Sequence, residues 1–296
     1  AAMKIDGVFS GGGIKGFALI GAIQEIEKRG FQFERVAGTS AGSIVAAFIA
    51  AGYGSSEMEQ LLDELDLTKF LDARKMIIPF PLAKWLFVYW KLGLYKGIEL
   101  EKWIEEKLAA KGVRTFSDLP PQSLRIIASD LSNGRLMVLP DDLVKYGIPP
   151  ESFSIAKAVR MSCSIPYFFE PVKLKSMDGV NVIVDGGVLS NFPMWLFDRE
   201  NVQKLRPVIG IKLSADEYEH EKHQIKNAIQ LFGALFETMK DAHDSRYVSR
   251  QHAKNIIFVP SEGALSTEFH LTDEKKHELF ELGREAAKKF FNSWCY

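Results

Sequence analysis

The stretch GVFSGGGIKG, residues 7–16, places four glycines in six positions directly behind a short apolar run. Glycine at that density lets the backbone approach a partner closely, because no Cβ stands in the way. Two kinds of partner fit such a loop: the phosphates of a dinucleotide, or the charged oxygen of a reaction intermediate. KIDGVFS (4–10) reads as a strand. From Ile14 the sequence carries Phe17, Ile20, Ile23 and Ile26 on one helical face and ends at Gly30. The loop thus joins a strand to a helix start, where backbone N–H groups and the helix dipole favour negative charge.

The same alternation continues along the chain. FERVAGT (33–39) reads as a second strand, and AGSIVAAFIAAG (41–52) as a helix apolar enough to be buried on several sides. Residues 55–65 form a third helix capped by Ser55 or Ser56. Helices follow at 98–110, 154–163, 222–250 and 272–292, and strands at 180–187, 206–214 and 255–260. LRIIASDL (124–131) and RLMVLP (135–140) read as a hairpin or neighbouring strands turning at Asn133-Gly134. Strands alternating with helices through short connections imply an α/β fold, a three-layer α/β/α sandwich around a mostly parallel sheet covered on both faces. No linker divides the chain, so one domain is expected over 1–296, with an insertion at about 66–97.

Composition narrows the function classes. With 47% hydrophobic residues a substantial core is expected, and a net charge of −1 removes a whole-protein electrostatic case for nucleic acid. Cys163 and Cys295 are too few and too far apart for a disulfide framework or a metal site, which fits a reducing, cytoplasmic setting. The first apolar run reads as a strand, not a signal core. The greasiest stretch, MIIPFPLAKWLFVYW (76–90), is broken by Pro79, Pro81 and Lys84 and is short for a membrane span. The protein is expected to be soluble or peripheral on a membrane.

GTSAG, Gly38 to Gly42, lies between a strand and a helix, the setting a nucleophile elbow requires. Small residues around Ser40 let the chain turn sharply and lift the hydroxyl off the sheet. Gly11, Gly13 and Gly16 also satisfy the dinucleotide pattern G-x-G-x-x-G. An acidic ribose ligand is then needed at the end of the second strand, but that strand ends in the serine elbow, and Glu34 sits at its beginning. Gly11 to Gly13 therefore read as donors to an oxyanion facing the same cleft as Ser40, or else as a tight turn that holds no ligand. All six histidines lie at or after position 220, in polar surroundings without diagnostic context. VIVDGGVLSNFP (182–193) instead puts Asp185 at the end of an apolar strand before Gly186 and Gly187. Alone, Asp-Gly is also an ordinary turn signal.

GGGIKG (11–16), GTSAG (38–42) and DGG (185–187), in this order, resemble the three signature blocks of patatin-like phospholipases. MSCSIPYFFEPV (161–172) is similar to the segment these proteins carry ahead of the aspartate strand, and Asn191 and Pro193 match residues that often follow it. The resemblance covers about residues 5–215. One departure is Ser10, where many members have aspartate. The resemblance implies a Ser40–Asp185 dyad, with Asp185 taking the serine proton directly, and an oxyanion hole of Gly11, Gly12 and Gly13 backbone N–H groups. Gly38, Gly42, Gly186 and Gly187 would support the turns. The substrate would be a phospholipid or other acyl-ester lipid, and neither metal nor cofactor is required. Lys15 falls where the family carries a basic residue and would either meet an anionic headgroup or the loop's own carbonyls, or be solvated. Two rivals stand beside this reading: a Ser–His–Asp α/β-hydrolase, with His270 for instance essential, and a non-catalytic lipid- or nucleotide-binding module.

Residues 66–97 hold Lys69, Arg74, Lys75, Lys84, Lys91 and Lys96 against Asp66 and Asp72, a local charge of +4. Phe70, Phe80, Trp85, Phe87, Tyr89, Trp90 and Tyr95 are interleaved with them. Such a mixture suits contact with an anionic membrane surface, and equally a cap over the core.

Overall fold

Residues along the strands alternate between two apolar layers, which defines the sheet's faces. Ile5, Phe9, Val36, Ile126, Ala128, Ile209 and Ile211 enter one core, while Val8, Ala37, Ile127 and Val208 enter another. This period of two is what a sheet covered on both faces demands. The computed structural model describes residues 1–71, 91–198, 206–214, 222, 224–248, 253–260 and 271–295.

The strands are β1 (Met3–Phe9), β2 (Phe31–Thr39), β3 (Gly93–Tyr95), β4 (Leu124–Asp130), β5 (Arg135–Leu139), β6 (Tyr167–Phe169), β7 (Val172–Ser176), β8 (Gly179–Asp185), β9 (Val208–Ser214) and β10 (Ile256–Pro260). The main sheet runs β10-β9-β1-β2-β4-β8-β7, with β5 also paired to β4. β10, β9, β1, β2 and β4 are mutually parallel, and β5, β7 and β8 make the antiparallel pairs. β3 and β6 form a separate two-stranded parallel sheet.

The larger core is covered by α1 (Phe17–Lys28), α2 (Ala41–Ala51), α4 (Ile98–Ala109), α5 (Ile155–Ser162) and α7 (Asp273–Ser293), with α3 (Ser55–Asp63) against α1. The opposite face packs on Phe192, Met194, Leu196 and Phe197. α1 and α7 meet at glycines: a Cβ on Gly283 would lie 1.8 Å from the Ala18 carbonyl oxygen. The C-terminal helix is therefore fitted to the helix that follows the glycine loop. α6 (Ala228–Tyr247) lies against the Gly186–Val188 turn.

Most expected elements occupy their expected segments, including the turn at Asn133-Gly134 between antiparallel β4 and β5. The helix expected from residue 222 starts later, because Asn227 caps it by accepting the Gln230 N–H at 2.9 Å. The strand expected to reach 187 stops at Asp185, where Gly186 opens a 3-10 turn. The helix expected from Ile14 opens as a 3-10 turn over Gly13–Gly16. β3, β6 and β7 escaped the sequence reading; two of them are only three residues long. Of the 66–97 segment, residues 72–90 lie outside the described residues. No helix among the described residues is long and apolar enough to cross a membrane.

Candidate active site

The parallel pairing of β1 with β2 puts the glycine loop and the serine turn at one sheet edge. Between β2 and α2 the chain turns at Ser40, whose φ of 53° and ψ of −122° are unusual for a side-chain-bearing residue. Such a backbone costs on the order of 1–3 kcal/mol and persists only where the surroundings over-determine it. Here they do. The Ser40 N–H donates to Ser162 Oγ at 2.8 Å, and Ser162 Oγ donates onward to the Ile127 carbonyl at 2.5 Å. Ser43 Oγ donates to the Ser40 carbonyl at 2.6 Å. A Cβ on Gly42 would stand 2.2 Å from the Phe9 carbonyl oxygen, and one on Gly38 would stand 2.2 Å from that of Gly42. Only glycine lets β1, the turn and α2 close on one another.

β4 brings Asp185 to the same level. Thr39 on β2 is registered with Ile127 on β4, and the next residue, Ala128, is registered with Asp185 on β8. Ser40 and Asp185 thus flank β4 across two strand spacings of about 4.8 Å each, a gap two side chains can close. Thr39 Oγ1 also donates to the Ser190 carbonyl at 2.9 Å, tying the serine turn to the aspartate loop. Gly186 follows Asp185 so tightly that its Cβ would lie 2.2 Å from the Ile127 carbonyl oxygen.

Asp185 is 1% exposed. Its Oδ1 accepts the Gly187 N–H at 2.7 Å, whereas Oδ2 has no hydrogen-bond partner. Burial pushes its pKa up to about 6, against the pull of Lys240, the Gly187 N–H and the Ser40 hydroxyl. Ser40 is therefore near enough to favour the carboxylate, although no bond of ordinary geometry joins their oxygens. Lys240 reaches this site from α6, held by Glu237 at 3.2 Å and seated 5.0 Å from the centre of the Phe236 ring.

The glycine loop is clamped from two sides. Ser10 N–H donates to the Ile211 carbonyl at 3.1 Å, and Ser10 Oγ accepts the Leu213 N–H at 2.9 Å. Ser10 thus stitches the loop to β9. On the other side the Gly11 N–H donates to the Asn191 carbonyl at 3.0 Å, while Asn191 Nδ2 donates to the Gly11 carbonyl at 3.4 Å and to Asp244 Oδ2 at 3.1 Å. Asp244 is itself paired with Lys212 at 3.2 Å, both nearly buried. The Gly11 N–H is therefore already engaged, which corrects the expectation that it faces an oxyanion. Gly12 and Gly13 precede or open the 3-10 turn, so their N–H groups have no partner within it.

A cavity of about 110 Å³ opens on Ser40. Its walls include Ile14, Phe17, Ile44, Val45, Leu65, Phe70, Leu100, Trp103, Ile165 and Phe169, and among the described lining residues Ser40 is the one that carries a hydroxyl. Cys163 also lines it, with Sγ 3.8 Å from Ser43 Oγ; burial and the nearby Asp185 hold its thiol protonated. Lys15 is buried, which corrects the solvated alternative for it. His243 and His277 do not line this cavity, and His220, His223, His252 and His270 lie outside the described residues.

Four contributors were not singled out in the sequence. Ser162 and Cys163 fall in the MSCSIPYFFEPV block, whose small residues gave a signal without a role. Lys240 and Asp244 gave none, because their contacts depend on how α6 docks.

Comparison with known proteins bears on the family and the fold. The family model described as patatin-like phospholipase matches residues 7–198. An uncharacterized protein of Bacillus subtilis (strain 168), YqhO, is 56% identical over 294 residues, covering 99% of this chain and all of that protein. The cUMP-AMP-activated phospholipase of Escherichia coli is 31% identical over 198 residues, 62% of this chain and 54% of that protein. Among solved structures, VipD from Legionella pneumophila superposes with a TM-score of 0.58 at 18% identity, over 99% of this chain and 67% of that one. A mostly parallel sheet flanked by helices, carrying all three motif blocks within the matched span, places the chain in the patatin-like phospholipase family.

Proposed function

We propose that this protein hydrolyses acyl esters of lipids, with Ser40 as nucleophile and Asp185 as its base. The observation that carries the reading is the buried Asp185 Oδ2, without a hydrogen-bond partner, beside a strained serine at an apolar cavity. Ser40 Oγ attacks the ester carbonyl while its proton passes to Asp185 Oδ2, and the alcohol leaves with a proton from the same carboxyl. Water then attacks the acyl-enzyme as Asp185 takes its proton, releasing the fatty acid and restoring Ser40. A carboxyl with a pKa near 6 is a better base than an exposed one, and burial supplies that rise. Gly12 and Gly13 N–H groups hold the tetrahedral oxyanion, each contributing on the order of 10²–10³ in rate. The cavity walls take the acyl chain, and filling it excludes water around the reacting oxygens.

The resemblance to a phospholipase favours a phospholipid as substrate class. The test is product analysis on mixed phospholipids: wild-type protein should release fatty acid and lysophospholipid, and Ser40→Ala and Asp185→Asn should release neither. Release by Asp185→Asn at the wild-type rate would remove the aspartate from the mechanism.

A further inference from the structure

α6 is amphipathic in the wrong sense for a helix bathed in water. Three of its charged residues, Glu237, Lys240 and Asp244, are turned inward, with side chains 15%, 4% and 4% exposed, while Asp241 is exposed further along the helix. Its outward stripe over the first turns is apolar. Leu231 and Leu235, one turn apart, are 57% and 62% exposed, and Ile225 and Ile229 before them are 50% and 37% exposed. A water-facing helix places these sets the other way round.

The patch continues onto the β3–β6 sheet. Tyr167, 52% exposed, packs edge-on against Phe232 of α6 with ring centroids 4.5 Å apart, and Gly93, next to the 43% exposed Leu92, pairs with it. Beneath the patch Phe236, Phe168, Phe169 and Ile165 form one buried cluster, and Phe169 and Ile165 line the cavity at Ser40. Basic residues lie within the segments that form it. Residues 91–98, 163–169 and 222–236 contain Lys91, Lys96, Lys222 and Lys226 and no acidic residue. All four lysines are exposed.

We propose that the outward face of α6, together with Tyr167 and Leu92, docks on a lipid bilayer that carries anionic headgroups. Exposed leucines and a tyrosine supply the apolar part, four lysines meet the phosphates, and the aromatic cluster connects the docked face to the cavity. The placement rests on the proposed lipid hydrolysis at Ser40, since it gives that cavity its supply of substrate. It also assigns membrane contact to residues beyond the 66–97 segment.

Binding can be measured apart from chemistry by sedimenting Ser40→Ala protein with vesicles of phosphatidylcholine alone or mixed with phosphatidylglycerol. In that background Leu231→Glu/Leu235→Glu should weaken binding to mixed vesicles by roughly tenfold per leucine. Lys222→Gln/Lys226→Gln should weaken it by about fivefold per lysine and reduce the preference for phosphatidylglycerol. Met177→Glu is the control, an apolar residue 95% exposed in the turn between β7 and β8, and should bind as its parent does. Thermal unfolding checks that each variant is folded. Undiminished binding by the double-glutamate variant overturns the proposal, as does equal loss with Met177→Glu. So does a parent dimer that the leucine variant dissolves, which would make this face a contact between two copies. Because Ser40→Ala carries the binding measurement, failure of the hydrolase reading and failure of the docking reading appear in different experiments.

Discussion

The Gly187 N–H donates to Asp185 Oδ1 at 2.7 Å, and the other oxygen of that carboxylate is left without a hydrogen-bond partner in a fully buried setting. One oxygen is thereby fixed by the backbone and the other kept for chemistry. A partnerless buried acceptor costs stability, because folding takes it out of water without replacing the bond it loses. The cost is in keeping with a base that must be ready to take a proton.

The first prediction concerns pH and rate. The base works only as carboxylate, and burial raises its pKa to about 6. The rate constant kcat/KM on a soluble ester should rise about tenfold per pH unit on the acid side and level off above about pH 6. A limb centred near pH 4 would mean that Asp185 is solvated or is not the base.

The same shift has a consequence for stability, opposite in sense to that of an ion-paired carboxylate. Below pH 4 Asp185 is neutral in both folded and unfolded chains, so its charge costs nothing. As pH rises through about 6 the folded state must bury an anion, and stability falls by roughly 3 kcal/mol. Asp185→Asn should therefore melt a few degrees above wild type at pH 8 and show no such gain at pH 4. Calorimetry at the two pH values checks this.

Asp244 is predicted to act through the glycine loop. Its carboxylate faces Asn191 Nδ2 at 3.1 Å, which fixes the amide that grips Gly11. Asp244→Asn should lower kcat by about tenfold to a hundredfold, through misplaced Gly12 and Gly13 donors, and leave KM within about twofold. The pH midpoint near 6 should remain. A rise in KM at unchanged kcat would assign Asp244 to substrate binding instead.

Glycine substitutions separate the loop from its neighbours. Alanine at Gly11 would set its Cβ 2.3 Å from Asn191 Oδ1, whereas at Gly54 the nearest atom stands 3.9 Å away. Gly11→Ala should lose at least about a hundredfold in kcat. Gly54→Ala should be indistinguishable from wild type in an ester assay.

Much of this site was legible because its parts are local. The serine turn needs glycines at fixed offsets on either side of Ser40, and those are written in five consecutive letters. Asp185 shows as a polar residue ending an apolar strand before two glycines, and alternation along β1, β2 and β4 gives the sheet. What was not legible depends on docking between distant segments. The engagement of the Gly11 N–H by Asn191 spans 180 residues. The Asp244–Lys212 pair appears only once α6 lies over the aspartate loop, and the burial of Lys15 shows only in the folded chain. The exposed leucines of α6 look in the sequence like ordinary core residues; only the structure turns them outward.

The central claim is that a carboxylate alone activates Ser40. Its most direct test is the rate of fluorophosphonate labelling from pH 4 to 9, with the labelled residue identified by mass spectrometry. Wild-type protein should label at Ser40 with a rate that climbs through about pH 6, every single histidine-to-alanine variant should match it, and Asp185→Asn should be slower by orders of magnitude. Labelling of Asp185→Asn at the wild-type rate, or loss of labelling on removal of one histidine, would contradict it.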